Sequence, residues 1–359
     1  MAALPISHSV LKTESELRAH MPEPKARVAG KKIHQFEKAS RFFIAHTACV
    51  GITTARPGGG AQVSARVGEP GFLHVASDET LWIPDRDEGR VGPSAEAIGE
   101  AGFAGLIFLV RGVRDTLRAN GRATLAEGDE LPEPVRRIAD RAIRIDIDEA
   151  FLHCPKAFLR SKFWESVQSV DSPPAADAGM LGPAESAFLS ESPFVLLGTH
   201  GPEGAADLSP RGDPGGFVRQ LASGALLLPD RPGNHIADSM RNVLATEAVG
   251  LLALVPGRAE ALAISGRAEL VAGEEVWSES AVKGRTPDLG FRIEVLEASL
   301  HSAPALEAFW AKDDRVDPKK FPTLAELLLT QLDPNGRGKR LKAWALDTSL
   351  RRDEKVNLY

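Results

Sequence analysis

The sequence predicts an α+β protein, mainly β, built as two tandem small antiparallel barrels. Three observations carry this. One stretch recurs without a gap, each copy is cut into short apolar runs by Gly and Pro, and each copy leaves room for one helix. The length of 359 residues suits two domains of about 150 residues each.

Residues 43–123 recur as residues 188–268 at a constant offset of 145, and 24 of the 81 positions are identical. Ser64 matches Ser209, Arg66 matches Arg211, and Pro84-Asp85-Arg86 matches Pro229-Asp230-Arg231. Gly105-Leu106 matches Gly250-Leu251, and Gly121-Arg122-Ala123 matches Gly266-Arg267-Ala268. The period is too long for a solenoid and indicates a duplicated domain.

The elements follow in order. Residues 31–45 carry Ile33, Phe36, Phe42, Phe43 and Ile44 at helix-like spacing, and residues 182–190 are the equivalent before the second copy. Four apolar runs then read as strands, at 49–54, 80–83, 105–110 and 116–125. Their counterparts are 195–199, 224–228, 249–255 and 261–270, closed by turns such as His200-Gly201-Pro202 and Pro256-Gly257. Strict alternation at 144–148 and 292–295 adds a fifth strand to each copy. One helix is expected between Asp85 and Ala101, and another between Asp230 and Thr246. These elements divide the chain into copy one at 1–168, a Pro/Ala/Asp linker at 169–179, copy two at 180–312 and an extension at 313–359. The extension holds an apolar helical run at 324–332 and a basic cluster at 335–340, read as a solvated loop rather than an anion contact.

Composition narrows the function. Net charge is −6 and the isoelectric point about 5.9, which argues against a nucleic-acid binder. The two cysteines, Cys49 and Cys154, are too sparse for a disulfide framework and fit a reducing cytoplasm. No signal peptide is evident, and no apolar run approaches the roughly 20 residues of a membrane span.

The chemistry-bearing residues concentrate in copy two. Ser209-Pro210-Arg211-Gly212-Asp213 offers a hydroxyl and a guanidinium, the latter suited to bidentate phosphate contact. Asp230, Arg231, Asn234, His235, Ser239 and Asn242 follow at a strand end and a helix start, where unpaired N–H groups suit an anion. Residue types alone fit a phosphate site and a structural turn equally well, with Asp238 or Ser239 as simple caps. His153 and Cys154 are neighbours on a strand, face opposite ways, and make a poor nucleophile–base pair. Cys49 reads as core, and His153 and His301 as structural hydrogen-bonding residues rather than metal ligands. No spacing resembles a zinc or iron site, and no dinucleotide fingerprint occurs.

These motifs resemble the flavin-binding split-barrel superfamily typified by pyridoxamine 5′-phosphate oxidase, most of all its bacterial pyridoxamine-oxidase-like FMN proteins. The resemblance rests on residues 209–217, 229–234, 238–242, 249–257 with Gly266-Arg267-Ala268, and 150–157 with Arg160, Ser161, Lys162, Phe163 and Trp164. It covers all but the C-terminal extension. It implies two tandem FMN-binding split β-barrels forming an intramolecular pseudo-dimer, with FMN between them and its phosphate on Arg, Lys and Ser side chains.

The copies differ in opposite places. Copy one replaces Ser-Pro-Arg-Gly-Asp with Ser64-Ala65-Arg66-Val67-Gly68, places Asp87 and Glu88 where a phosphate would be repelled, and has Ala97 for Asn242. Copy two replaces His153-Cys154-Pro155-Lys156 with His301-Ser302-Ala303-Pro304. One composite FMN site is therefore expected, with Ser209, Arg211, Asp230, Arg231, Asn234, His235, Ser239 and Asn242 from copy two. Lys156, Arg160 and Trp164 from copy one would face the ring or substrate. The expected activity is a flavin-dependent oxidoreductase on a small molecule, with NAD(P)H as candidate donor and no catalytic acid or base standing out. The chain would work as a monomeric pseudo-dimer or a homodimer, without membrane or nucleic acid. The alternatives are a non-enzymatic flavin carrier and a haem binder using His153 or His235.

Overall fold

A computed structural model describes residues 8–24, 32–56, 58–94, 98, 102–165, 181–202, 206–317, 320–332 and 339–359. The 145-residue offset survives in three dimensions. After β1 (Ser9–Leu11), the strands β2 (Cys49–Ala55), β3 (Ala61–Val67), β4 (His74–Val75), β5 (Thr80–Pro84), β6 (Arg90–Val91), β7 (Phe103–Leu109), β8 (Thr116–Glu127) and β9 (Arg141–His153) build the first sheet. The second uses β10 (Phe194–His200), β11 (Ala206–Gly212), β12 (Arg219–Gln220), β13 (Leu226–Pro229), β14 (Ala248–Leu254), β15 (Glu260–Ala272) and β16 (Leu289–Ser302). The orders are β4-β5-β9-β8-β7-β2-β3-β6 and β12-β13-β16-β15-β14-β10-β11, the same path apart from β6. Every pairing is antiparallel, and each path stays open between its end strands among the described residues.

The repeated Gly-Arg-Ala motif marks a β-bulge in each copy, at Asn120/Gly121 and Ser265/Gly266. A Cβ on Gly121 would lie 2.1 Å from the Asp146 carbonyl oxygen, and one on Gly266 2.5 Å from that of Glu294. Only glycine permits this approach.

Each sheet buries its own core, around Phe43, Ile52 and Leu106 in one and Leu197, Leu251 and Phe291 in the other. A third apolar cluster joins them. It takes Val63 and Ile107 from the first sheet, Leu196 and Leu252 from the second, and Phe163 and Phe309 from the following segments. The contact obeys the repeat. A Cβ on Gly105 would meet the Ala206 backbone carbon at 3.1 Å, and one on its mate Gly250 would meet the Ala61 carbonyl oxygen at 2.5 Å. Ala61 and Ala206 are themselves repeat mates, so the two units pack as a pseudo-dimer.

Several expectations shift at the ends. Ile33 forms a bridge with Ala150, and the helix expected over 31–45 is confined to Lys38–Ala45, because Ile33 is taken into the sheet. Within 85–101, where one helix is expected, residues 95–97 and 99–101 lie outside those described. What is seen there is a short turn, Asp87–Gly89, and β6. Its second-copy equivalent is the helix Asp238–Thr246. The linker 169–179 and most of the basic cluster 335–340 lie outside the described residues. The helix Leu324–Leu332 is present, and Leu324, Leu327 and Leu328 join the first-barrel core. A further helix, Lys339–Val356, follows. At the other end, β1 pairs with β15 of the second sheet. No described helix is long and apolar enough to cross a membrane.

Candidate functional site

Between the barrels lies a cavity of about 100 Å³ lined by residues from both copies. The second copy contributes Ser209 and Arg211 from β11, the loop bearing Asp230, Arg231, Asn234 and His235, and Ser239 from the first turn of the helix Asp238–Thr246. The first copy contributes His153 at the end of β9, then Lys156 and Arg160. Pro155 stops the strand and caps the helix Lys156–Ser161. A four-residue spacing puts Lys156 and Arg160 on one helix face. All but two of the expected site residues thus meet in one place.

The exceptions are Trp164 and Asn242, and neither lines the cavity. The Trp164 ring sits among Phe158, Phe163, Phe309 and Trp310. Its Nε1 donates to the Val113 carbonyl at 2.8 Å, as Trp310 Nε1 donates to the carbonyl of Arg258, the repeat mate of Val113, at 2.8 Å. Trp164 is therefore half of a repeated structural pin. Asn242 points to the back of its helix and donates to Thr199 Oγ1 at 3.1 Å.

Hydrogen bonds order the cavity. Ser209 Oγ and Ser239 Oγ lie 3.1 Å apart, and Ser239 donates to Asp207 Oδ2 at 2.5 Å. The other Asp207 oxygen pairs with Arg118, which reaches across from β8 of the first barrel. Burial lowers the Arg118 guanidinium to about 10, so it stays cationic at neutral pH. Arg211 pairs with Asp230, but its buried Nε meets no partner among the described residues. Arg231 is more committed. It donates from Nε to Asp213 at 2.6 Å and from Nη2 to the Ser280 carbonyl at 2.6 Å. Asn234 Oδ1 accepts from the Ile236 backbone at 3.1 Å and shapes the loop. His235 adopts φ of 62°, and its carbonyl accepts from Arg18 at 3.3 Å. Five cations, Arg118, Lys156, Arg160, Arg211 and Arg231, face three carboxylates, Asp207, Asp230 and Asp238, along this wall. The excess favours an anionic ligand.

The pseudo-symmetric position keeps a crevice of about 160 Å³, but that crevice does not reach Arg66. Its crevice is lined by Gln62, Pro93, Ala263 and His301, the mates of Asp207, Asp238, Arg118 and His153. Arg66, the mate of Arg211, has only 1% of its side chain exposed, against 20% for Arg211. Asp85 holds it at 2.5 Å and also takes Arg141 at 2.7 Å. In addition, β6 pairs with β3 alongside Ala65 and Arg66, covering the sheet edge that β11 leaves to the cavity. The complementary losses in sequence thus correspond to one position whose arginine, Arg211, reaches its cavity and one whose arginine, Arg66, is buried.

Arg118 and Asp207 escaped the sequence reading. Comparing copies could have found them, because Arg118 stands against Ala263 and Asp207 against Gln62. Tyr359, which packs beside the cavity, lies in the unrepeated extension and carried no such signal.

Residues 181–305 match the family model described as Pyridoxamine 5′-phosphate oxidase. No curated protein matches the chain. Among solved structures, HupZ of Group A Streptococcus is similar at 15% identity, covering 33% of this chain and 93% of that one, with a TM-score of 0.27. A Clostridium acetobutylicum protein related to general stress protein 26, of the pyridoxinephosphate oxidase family, is similar at 11% identity. It covers 34% of this chain and 87% of that one, with a TM-score of 0.26. General stress protein 26 of Bacillus anthracis gives 14%, 32%, 91% and 0.23.

Proposed function

We propose that this chain is a cytoplasmic FMN-dependent oxidoreductase with one composite flavin site per chain. The observation that carries the reading is Arg211, partly open to an electropositive cavity, with a buried Nε that meets no partner among the described residues. A phosphate oxygen would satisfy that group. The match of residues 181–305 to the pyridoxamine 5′-phosphate oxidase model supports a flavin.

The residues divide the work. Arg211, Ser209 and Lys156 would hold the phosphate, with Arg160 at its outer edge. Ser239 and Arg118 fix Asp207, which orients the two serines. Arg231 and Asn234 shape the loop and would meet the ribityl chain through its backbone. A cavity of about 100 Å³ accepts a phosphate-sized group, and the rest of the cofactor would lie toward the adjoining chamber of about 300 Å³. Bound flavin would supply hydride or electron transfer, and the protein would bind, orient and shield it. The substrate would be a small molecule and NAD(P)H the electron donor. The working units are copy one (1–168) and copy two (180–312), joined by 169–179 and followed by 313–359, acting as a monomer or pairing again.

A visible spectrum of the purified chain tests this. Flavin bands bleached by NADPH or NADH support the enzyme, and bands that neither reductant bleaches leave a carrier. A Soret band, or a colourless protein that takes up no FMN, contradicts the proposal.

A further inference from the structure

The cavity and the adjoining chamber share the loop at 230–235. Leu358 and Tyr359 pack on that boundary, a place that neither copy of the repeat predicts. The Leu358 carbonyl accepts from Arg160 Nε at 2.5 Å. The Tyr359 ring lies 5.7 Å from the Arg160 guanidinium, 5.6 Å from that of Arg231 and 5.3 Å from Lys283 Nζ. Arg285 donates to the Tyr359 carbonyl at 2.5 Å, and the Tyr359 hydroxyl lies against Asp213.

Arg160 is the point of interest. Its residue is only 9% exposed, yet its second bond goes to the Pro232 carbonyl at 2.6 Å. Both acceptors are neutral, and no carboxylate pairs with it among the described residues. An anionic acceptor adds a Coulomb attraction to the guanidinium that a neutral carbonyl does not supply. A cation held by neutral carbonyls at the edge of an anion-favouring cavity is therefore poised to exchange partners.

We propose that Leu358 and Tyr359 form a clasp that competes with the anionic group of the ligand for Arg160, so that binding opens the site. An incoming phosphate oxygen replaces the Leu358 carbonyl at Nε. The Tyr359 ring then leaves the three cations, and the cavity of about 100 Å³ joins the chamber of about 300 Å³. That gives a planar ring the room the closed cavity lacks. Only the identity of the ligand rests on the FMN reading. The competition itself concerns any phosphate group.

Tyr359 is the only tyrosine in the chain, so 3-fluorotyrosine labelling of the full chain gives a single fluorine resonance. Inorganic phosphate should move it saturably toward the position of free fluorotyrosine, whereas chloride at matched ionic strength should not. Arg160→Gln should place it there without phosphate. Tyr359→Ala, which leaves Arg160 intact, should tighten phosphate binding several-fold by calorimetry. A resonance that phosphate leaves in place overturns the clasp, whether or not phosphate binds. If phosphate moves the resonance but FMN does not bind, the flavin reading fails and the clasp stands. If FMN binds and the resonance stays put, the clasp fails and the flavin reading stands.

Discussion

Arg118 of the first barrel and Asp207 of the second form a buried ion pair across the barrel interface, with side chains 8% and 4% exposed. Asp207 also accepts from Ser239, so one contact both docks the barrels and sets the hydroxyls of the cradle. Breaking such a pair leaves a buried charge uncompensated, at a cost of about 3–5 kcal/mol.

Arg118→Met should therefore destabilise the protein by about that amount in chemical denaturation. The double variant Arg118→Met/Asp207→Leu should recover part of the loss, because no unpaired charge remains. Additive losses in the two single variants and their combination would show that the residues do not act as a pair.

His200 ends β10 in a buried position beside Thr54 of the first barrel, and burial pushes its imidazole down to about 4 from the ordinary 6.5. The unfolded chain thus binds the proton between pH 6.5 and pH 4 while the folded chain does not. Stability must fall as pH drops through that window and level off below it. The gap is worth about 3 kcal/mol. Other groups titrate over the same range, so the informative quantity is the stability difference between the wild type and His200→Gln. It should shrink by about 3 kcal/mol from pH 7 to pH 4. A difference independent of pH would show that the fold leaves the proton affinity of His200 unchanged.

Trp164 separates a structural role from a binding one. Trp164→Phe removes the bond to the Val113 carbonyl and should cost about 1 kcal/mol of stability. Flavin affinity should be unchanged, since the ring does not line the cavity. A clear loss of flavin affinity at unaltered stability would return Trp164 to the site.

The fold was legible because the repeat samples it twice. Gly121 and Gly266 mark bulges, Gly105 and Gly250 the barrel contact, and each pair is invariant between copies for a steric reason. The site was legible where the copies disagree over charge, as at Lys156 and Pro304. Trp164 misled because an aromatic ring beside basic residues suits a ligand wall and a core equally well. Its partner Trp310 was the available clue. Leu358 and Tyr359 were not legible, since the helices that carry the extension back to the site have no repeat mate to compare.

On the proposed reading, duplication left one working site, built on Arg211, and buried the matching arginine, Arg66. Flavin titration of three full-length proteins tests it most directly. The wild type and Arg66→Met should each bind one FMN per chain, the latter with lower stability because Asp85 loses its main partner. Arg211→Met should bind none while remaining folded. Two FMN per chain in the wild type, or binding lost with Arg66 and kept without Arg211, would contradict the account.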